Sequence, residues 1–515
     1  MKEVVIDNIK PFIKKSWPVV IFVGVCVYLL YNQAIAVLEF LKINWASLRF
    51  PYPLDYGEGQ LLDKVMLLSR FKSIYTSTPH TCGPPYAIAN YPPVYPLIQV
   101  PFAWLFGPAM WYGRAISILS ILASSVFIGL TIHSLTGKRL AGVIGGITLL
   151  CFPYIAGFSM FARVDSLALF LSCAAMYTAV QWGGSRYGII ATGLLLLGSI
   201  YTKQSYGFAM PLTIFIWLYY ERSPRRALEL AALVGIPGLL LFVLINFTTE
   251  GSFYFNTITA TRGHFNAAKM IKSFEGMLII YPLLVGMAVL YCLLGLLQVF
   301  RTKSWRLVAP FIICSAVVSI LIGNEGSSWN YLYEHAAAFS LLAGCLFGLA
   351  GNRRLLSGIA ALLIATQIQT MIPWTQKYFF SPTKYRLEHE EDISRINALV
   401  HQAEGYVLAD QYAGLIPLDN RPLYLMPWEF KNVVESKIWS EQPFIDALAR
   451  HEFGLIIMVE TSKKDYNVSF WQPSVIEAIK EHYYPVDIIA DCVIFKPRVG
   501  KQKNLTDQLA GSSVY

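Results

Sequence analysis

Eleven apolar runs set the first constraint on this chain. The first, Trp17 to Leu38, contains no charged residue and is about long enough to cross the hydrocarbon core of a bilayer. Further runs are expected at about 115–135, 139–156, 166–182, 187–202, 206–220, 228–248, 276–300, 307–323, 336–350 and 355–373. A chain with this pattern cannot fold as a water-soluble globule. Composition agrees: of 515 residues, 55% are hydrophobic and 14% charged, against about 25% charged in a soluble domain. Mean hydropathy is +0.49. The sequence therefore predicts a polytopic α-helical membrane protein with about 11 transmembrane helices. No small-residue cleavage site follows the first run, which reads as a retained signal anchor.

The net charge of +9 is no argument for nucleic acid, because much of the Lys and Arg lies in short loops between apolar runs. With a cytoplasmic N-terminus, the inner segments carry 15 Lys and Arg and the short outer loops carry 5. That asymmetry follows the positive-inside rule and an odd number of spans. It predicts a multi-pass protein of the plasma (inner) membrane, with two large regions outside.

The first is an external loop over 39–113. Within it Leu61, Leu62, Val65, Met66 and Leu68 share one helical side and Asp63 and Arg70 the other, the pattern of a helix lying in the membrane interface. A proline-rich segment from Pro84 to Pro101 follows and breaks any continuous span. The second region, 374–498, alternates helix-like and strand-like stretches and predicts a small extracytoplasmic α/β domain. Residues 1–373 then form the membrane domain, and 499–515 a polar, disordered tail. Six of the eight cysteines lie in apolar segments. Cys82 and Cys492 fall outside, where an oxidising compartment would let them pair, and no CxxC or Cys/His metal spacing occurs.

The spans are nearly free of ionisable groups, which instead collect at their outer ends. Asp55 and Glu58 open the first loop. Arg163 and Asp165 stand in "FARVDSLALF", Lys203 and Gln204 in "YTKQSYG", Arg262 and His264 in "TATRGHFN". Glu325, Asn330, Tyr331, Glu334 and His335 stand in "GNEGSSWNYLYEH". A coupled transporter usually places such groups near the midplane. An enzyme acting on a lipid-linked substrate needs them at headgroup depth. Each residue also has an ordinary reading. Arg163 and Lys203 suit interfacial anchors, Asp165 a helix cap, Asp55 and Glu58 a solvated turn, and Glu334 with His335 a buried pair.

The order of "DYGEG" at 55–59, "NYPPVYP" at 90–96, "RVDSLA" at 163–168, "TKQS" at 202–205 and "NYLYE" at 330–334 resembles the GT-C glycosyltransferases. The likeness is to family 39-type proteins, related to protein O-mannosyltransferases and aminoarabinose transferases. It spans most of the membrane portion. The resemblance implies a sugar donor, hexosyl or pentosyl, on a polyprenyl phosphate and an inverting transfer to a lipid, protein or glycan acceptor. It implies Asp55 and Glu58 as catalytic carboxylates, and Lys203, Arg163 and Arg262 as donor-phosphate ligands. Asp165, Gln204, Tyr91, Asn330, Tyr331, Glu334 and His335 then meet substrate. Aminoarabinose transferases carry a basic residue before the Pro-Pro pair, where this chain has Tyr91. That moves the phosphate role towards Lys203, Arg163 or Arg262. A divalent metal stays open: Asp55, Glu58 and Asp165 are candidate ligands, while their basic neighbours favour metal-free chemistry. Competing readings are a lipid or glycan transporter (flippase) without chemistry, and a membrane scaffold whose outer domain binds a partner.

The chemistry itself asks for two kinds of group. Attack by a hydroxyl on an anomeric carbon needs a base ionised at neutral pH. A departing polyprenyl phosphate is already an anion and needs cations where its charge collects.

Overall fold

The computed structural model describes residues 2–297, 302–349, 354–462, 465–466 and 470–498. The tail expected to be disordered, 499–515, lies outside the described residues. The described part of each of the eleven apolar runs is mostly helical. Among the described residues, however, six helices are long and apolar enough to cross a membrane, or seven if the bent pair Ala267–Ile280 and Pro282–Leu296 is one span. The expected count of eleven is not reached, because several runs form short helices. Arg139–Leu150, Arg186–Ile200 and Ala209–Glu221 have 12, 15 and 13 residues, below the ~17 a straight span requires.

The bundle is held by close helix approaches that small residues permit. A Cβ on Gly142 would stand 2.5 Å from the carbonyl oxygen of Gly129, so the helices Trp111–Thr136 and Arg139–Leu150 meet backbone to backbone. The helix Pro224–Thr248 turns apolar side chains outward, with Phe247 81% and Leu239 64% exposed, a face suited to lipid.

After the helix Glu390–Gln402 the chain builds a five-stranded mixed sheet. Strand β1 (Tyr406–Ala409) runs parallel to β2 (Phe453–Ser462). The short β3 (Asp465–Tyr466) pairs with β2, β4 (Tyr483–Ile489) with β5 (Cys492–Pro497), and β5 returns antiparallel to β2. Ile456, Ile457 and Met458 of β2 and Val493, Ile494 and Phe495 of β5 are all buried, because helices cover both faces of the sheet. Cys492 is buried on β5 and Cys82 is exposed in the first loop; each is a free cysteine. The helix through position 373 continues to Glu388, so the membrane and sheet regions share a continuous helical connection.

The first loop is clamped between bundle and sheet region. Tyr86 N–H donates to the Tyr424 carbonyl at 2.7 Å, and Trp439 Nε1 to the Thr78 carbonyl at 2.9 Å. The helix Tyr56–Ser69 lies beneath this cover. Leu61, Leu62 and Val65 are buried, but so are Asp63 and Lys64, which pair with each other at 3.0 Å. The expected half-exposed interfacial helix is therefore enclosed. The cause is a glycine contact: a Cβ on Gly59 would lie 2.5 Å from the backbone of Gly414, which brings the sheet region directly onto the helix.

Candidate active site

A cavity of about 750 Å³ opens where bundle, first loop and sheet region meet. Its bundle wall is made of charged pairs. Asp55 is the N-cap of the helix Tyr56–Ser69, with extended backbone (φ −143°) and a carboxylate that accepts from Gly57 N–H at 2.9 Å. The same oxygen accepts from Arg163 Nη2 at 2.7 Å and Nε at 2.9 Å. Arg163 precedes the span Val164–Trp182 and takes a side-chain position 19% exposed, Asp55 one 17% exposed. Two residues on, Asp165 accepts from Lys203 Nζ at 2.5 Å and from Asn330 Nδ2 at 3.0 Å. Both members of that pair are almost fully buried. Lys203 leaves the helix Arg186–Ile200 in extended backbone and sits 4.0 Å from the centre of the Tyr331 ring. Gln204 Nε2 donates to the carbonyls of Asn90 and Thr257 at 3.1 and 3.0 Å, tying three loops together. Tyr91, Arg262 and Glu325 complete this wall.

The opposite wall comes from the sheet region: Gln411, Trp428, Glu429 and Phe470. Glu429 is 4% exposed and accepts from Tyr56 Oη at 2.5 Å and Asn90 Nδ2 at 2.9 Å. Burial raises its pKa, against the opposing effect of those donors.

No family model matches the sequence, and no curated protein matches it. Solved structures do. ArnT from Cupriavidus metallidurans bound to undecaprenyl phosphate superposes with a TM-score of 0.58 at 14% identity, over 91% of this chain and 98% of that one. The same protein in the apo state gives 0.56 at 16% identity, over 91% and 99%. The Archaeoglobus fulgidus oligosaccharyltransferase in complex with zinc and sulfate gives 0.50 at 12%, over 89% and 73%. The chain has the GT-C fold.

Within this GT-C chain the predicted residues divide. Asp55, Tyr91, Arg163, Asp165, Lys203, Gln204, Arg262 and Tyr331 all line the cavity. Asn330 reaches it through Asp165. Glu58 does not line it. Its side chain is 0% exposed and forms a two-pronged ion pair with Arg114 (2.8 Å from both Nε and Nη2), and it accepts from Leu54 N–H at 2.7 Å and Ala162 N–H at 2.9 Å. Burial raises the Glu58 pKa, but Arg114 and the two N–H donors outweigh it and hold the carboxyl below its usual value. Asp55 is the N-cap in extended backbone while Glu58 lies in the first helical turn, so the two carboxylates diverge, and Glu58 ties the loop to Arg114 instead of facing the cavity. Glu334 and His335 are also buried away from the cavity. His335 Nδ1 meets Ser315 Oγ at 3.1 Å and its ring packs 4.3 Å from Phe339, so the two are not each other's partner. The metal ligands suggested by sequence are likewise apart: Asp55, Glu58 and Asp165 each face a separate cation. Among the described residues no group of three or more His, Cys, Asp or Glu is placed to hold a metal ion.

Sequence reasoning missed Arg114, Trp428 and Glu429. It also missed a second cavity of about 510 Å³, lined by aromatics including Phe158, Trp329, Trp374 and Phe379 and by one cation, Arg386. Asp55 and Gln411 line both cavities, so Asp55 stands at their junction. A carboxylate there can accept a proton, and the neighbouring cations can stabilise an anion.

Proposed function

We propose that this protein is an integral-membrane inverting glycosyltransferase. It moves a sugar from a polyprenyl-phosphate donor to an acceptor on the extracytoplasmic face of the plasma (inner) membrane. The observation that carries this reading is Asp55 at the junction of two cavities, with Arg163, Lys203 and Arg262 on the wall of the larger one. The GT-C fold supports it, as do an ArnT structure that holds undecaprenyl phosphate and helices long and apolar enough to cross a membrane.

The donor occupies the larger cavity with its phosphate against the cations, and the acceptor enters by the smaller one. The acceptor oxygen attacks the anomeric carbon from the face opposite the phosphate. The bond from that carbon to the phosphate oxygen breaks, polyprenyl phosphate leaves with the electron pair, and the acceptor proton passes to Asp55. In the free protein Arg163 is engaged by Asp55 and Lys203 by Asp165. An arriving phosphate draws Arg163 towards itself and loosens its hold on Asp55, so donor binding readies the base. Residues 1–373 form the membrane catalytic part and 374–498 an extracytoplasmic α/β domain, with the N-terminus in the cytoplasm.

The test is release of undecaprenyl phosphate from glycosylated donors by the purified protein in liposomes, with lipid, peptide and glycan acceptors supplied. Acceptor-dependent release supports the reading. Its absence across donors and acceptors, with the protein folded, sinks it. Reporter fusions near residue 375 and within 75–90 must both report the outer face; opposite faces would remove the shared cavity from the outside.

A further inference from the structure

The charge on the two walls of the larger cavity is not alike. The bundle wall carries Arg163, Lys203 and Arg262. Among the described residues the sheet-region wall carries no cation: it offers a carboxylate, Glu429, an amide, Gln411, and two aromatic rings, Trp428 and Phe470. Glu429 is held by a phenol and an amide and makes no ion pair among the described residues. A phosphate would be repelled here. Acceptor oxygens around the cavity have no donor among the described residues: Asn90 Oδ1 next to Glu429, and Gln204 Oε1 and Asp165 Oδ2 on the bundle wall opposite. Unmet acceptors call for a ligand rich in donors. The aromatic rings of the sheet-region wall suit an apolar C–H face. A sugar ring has both, hydroxyls at its rim and C–H groups on its faces.

The wall is also built to stay in place. Trp428 seats against Gly326, where φ is +74° and a Cβ would lie 2.3 Å from the indole ring, so no other residue fits beneath it. Trp428 N–H donates to Tyr56 Oη at 3.1 Å, and Phe470 packs on the Tyr56 ring at 4.8 Å. The sheet region is thus latched to the residue directly after Asp55.

Resting on the transferase reading, we infer that Trp428 and Glu429 of the sheet region form the subsite for the donor's sugar ring and determine which sugar is accepted. Trp428 lies against the ring's C–H face and Glu429 accepts from its hydroxyls. The phosphate stays with the bundle cations. Sugar choice and phosphate capture are thereby assigned to opposite walls of one cavity.

The experiment uses the full chain in detergent or nanodiscs. Binding of bare undecaprenyl phosphate is compared with that of a panel of undecaprenyl phosphates carrying single hexoses and pentoses. In the wild type at least one glycosylated lipid binds more tightly than the bare lipid. Trp428→Ala and Glu429→Gln each lose at least tenfold in affinity for that glycosylated lipid and keep the affinity for the bare one. Trp428→Phe, which keeps a ring against Gly326, retains most of the preference. Lys203→Ala loses affinity for both lipids alike. If no sugar improves wild-type binding, or if the two sheet-region variants weaken bare and glycosylated lipids equally, the subsite does not exist. If the wild type fails to bind even the bare lipid, the transferase reading falls and this inference falls with it.

Discussion

The carboxylates at the outer end of the bundle and those of the sheet region are handled in opposite ways. At the outer end of the bundle three carboxylates have their own cations: Asp55 has Arg163, Glu58 has Arg114, Asp165 has Lys203; Glu334, buried in the helix Tyr333–Leu349, makes no ion pair among the described residues. In the sheet region Glu429 and Asp410 are buried and, among the described residues, accept from neutral donors only. Asp410 accepts from Gln411 N–H at 2.5 Å, Val459 N–H at 3.1 Å and Trp471 Nε1 at 3.2 Å. The pKa directions follow. Arg114 helps hold Glu58 below its usual value against burial, while burial pushes Asp410 up to about 6 and raises Glu429. A buried ion pair keeps its charges at neutral pH, as a site for proton transfer and phosphate capture requires. A carboxylate among neutral donors stays close to gaining a proton and is better suited to holding hydroxyls.

The largest effect comes from removing the charge on the bundle side where it meets the cavity. Asp55→Asn is nearly isosteric but cannot take a proton. A general base typically contributes 10²–10⁴-fold, so transfer falls by at least that order. Donor affinity does not fall, because Arg163 is no longer held by a carboxylate, and the protein stays folded. Near-wild-type transfer by this variant would leave Asp55 as a helix cap alone and end the distinction between the walls.

Glu58 tests the same side at its foundation. Glu58→Gln leaves Arg114 buried without its counter-charge, which costs about 3–5 kcal/mol when one partner of a buried pair is lost. The expected outcome is a marked drop in thermal midpoint and in yield of folded protein, and Glu58→Gln with Arg114→Met recovers part of it. Because the Glu58 carboxyl is lowered in the folded state, its contribution is present above the unfolded value of about 4.3 and is lost as pH falls below it. Full stability in Glu58→Gln would mean the pair is idle.

These two residues also mark how far the sequence could be read. Asp55, Arg163, Asp165 and Lys203 were legible because charge at the outer end of an apolar run is conspicuous. The same signal misplaced Glu58, Glu334 and His335, since it gives depth in the membrane and not the direction a side chain takes around a helix. Arg114 opens a span and reads as an anchor; its partner lies 56 positions earlier, a pairing only the folded chain reveals. Trp428 and Glu429 sit in a stretch of ordinary soluble character, where nothing local points to a cavity. The number of spans is a related matter: hydropathy measures how apolar a run is, while turns such as that after Leu150 decide how long its helix is, and six or seven helices among the described residues are long enough to cross.

Lys203 gives a smaller effect. A charge-assisted hydrogen bond contributes about 1.5–3 kcal/mol, so Lys203→Ala lowers donor affinity roughly 10- to 100-fold. Arg163→Ala acts differently from Lys203→Ala, because its partner is Asp55 and not Asp165. It changes turnover as well as donor KM. Unchanged donor KM and turnover in Lys203→Ala would exclude the ammonium from phosphate binding.

The smallest effect lies in the sheet region and has a pH signature of its own. Asp410 is raised in the folded state from an unfolded value near 3.9 to about 6. The folded protein therefore holds this proton more tightly than the unfolded chain does. Its contribution is complete below the unfolded value and fades as pH rises through 6, the reverse of Glu58. Between pH 5 and pH 7 the loss amounts to about 1 kcal/mol, a fall in thermal midpoint of a few degrees at most. Asp410→Asn cannot titrate, so its midpoint changes less over the same interval, and the difference between the two slopes isolates this one carboxyl. Glu429, also raised, is present in both proteins and cancels in that difference. Equal slopes in wild type and variant would mean that Asp410 is charged throughout, and that the sheet region does compensate its buried carboxylates as the outer end of the bundle does.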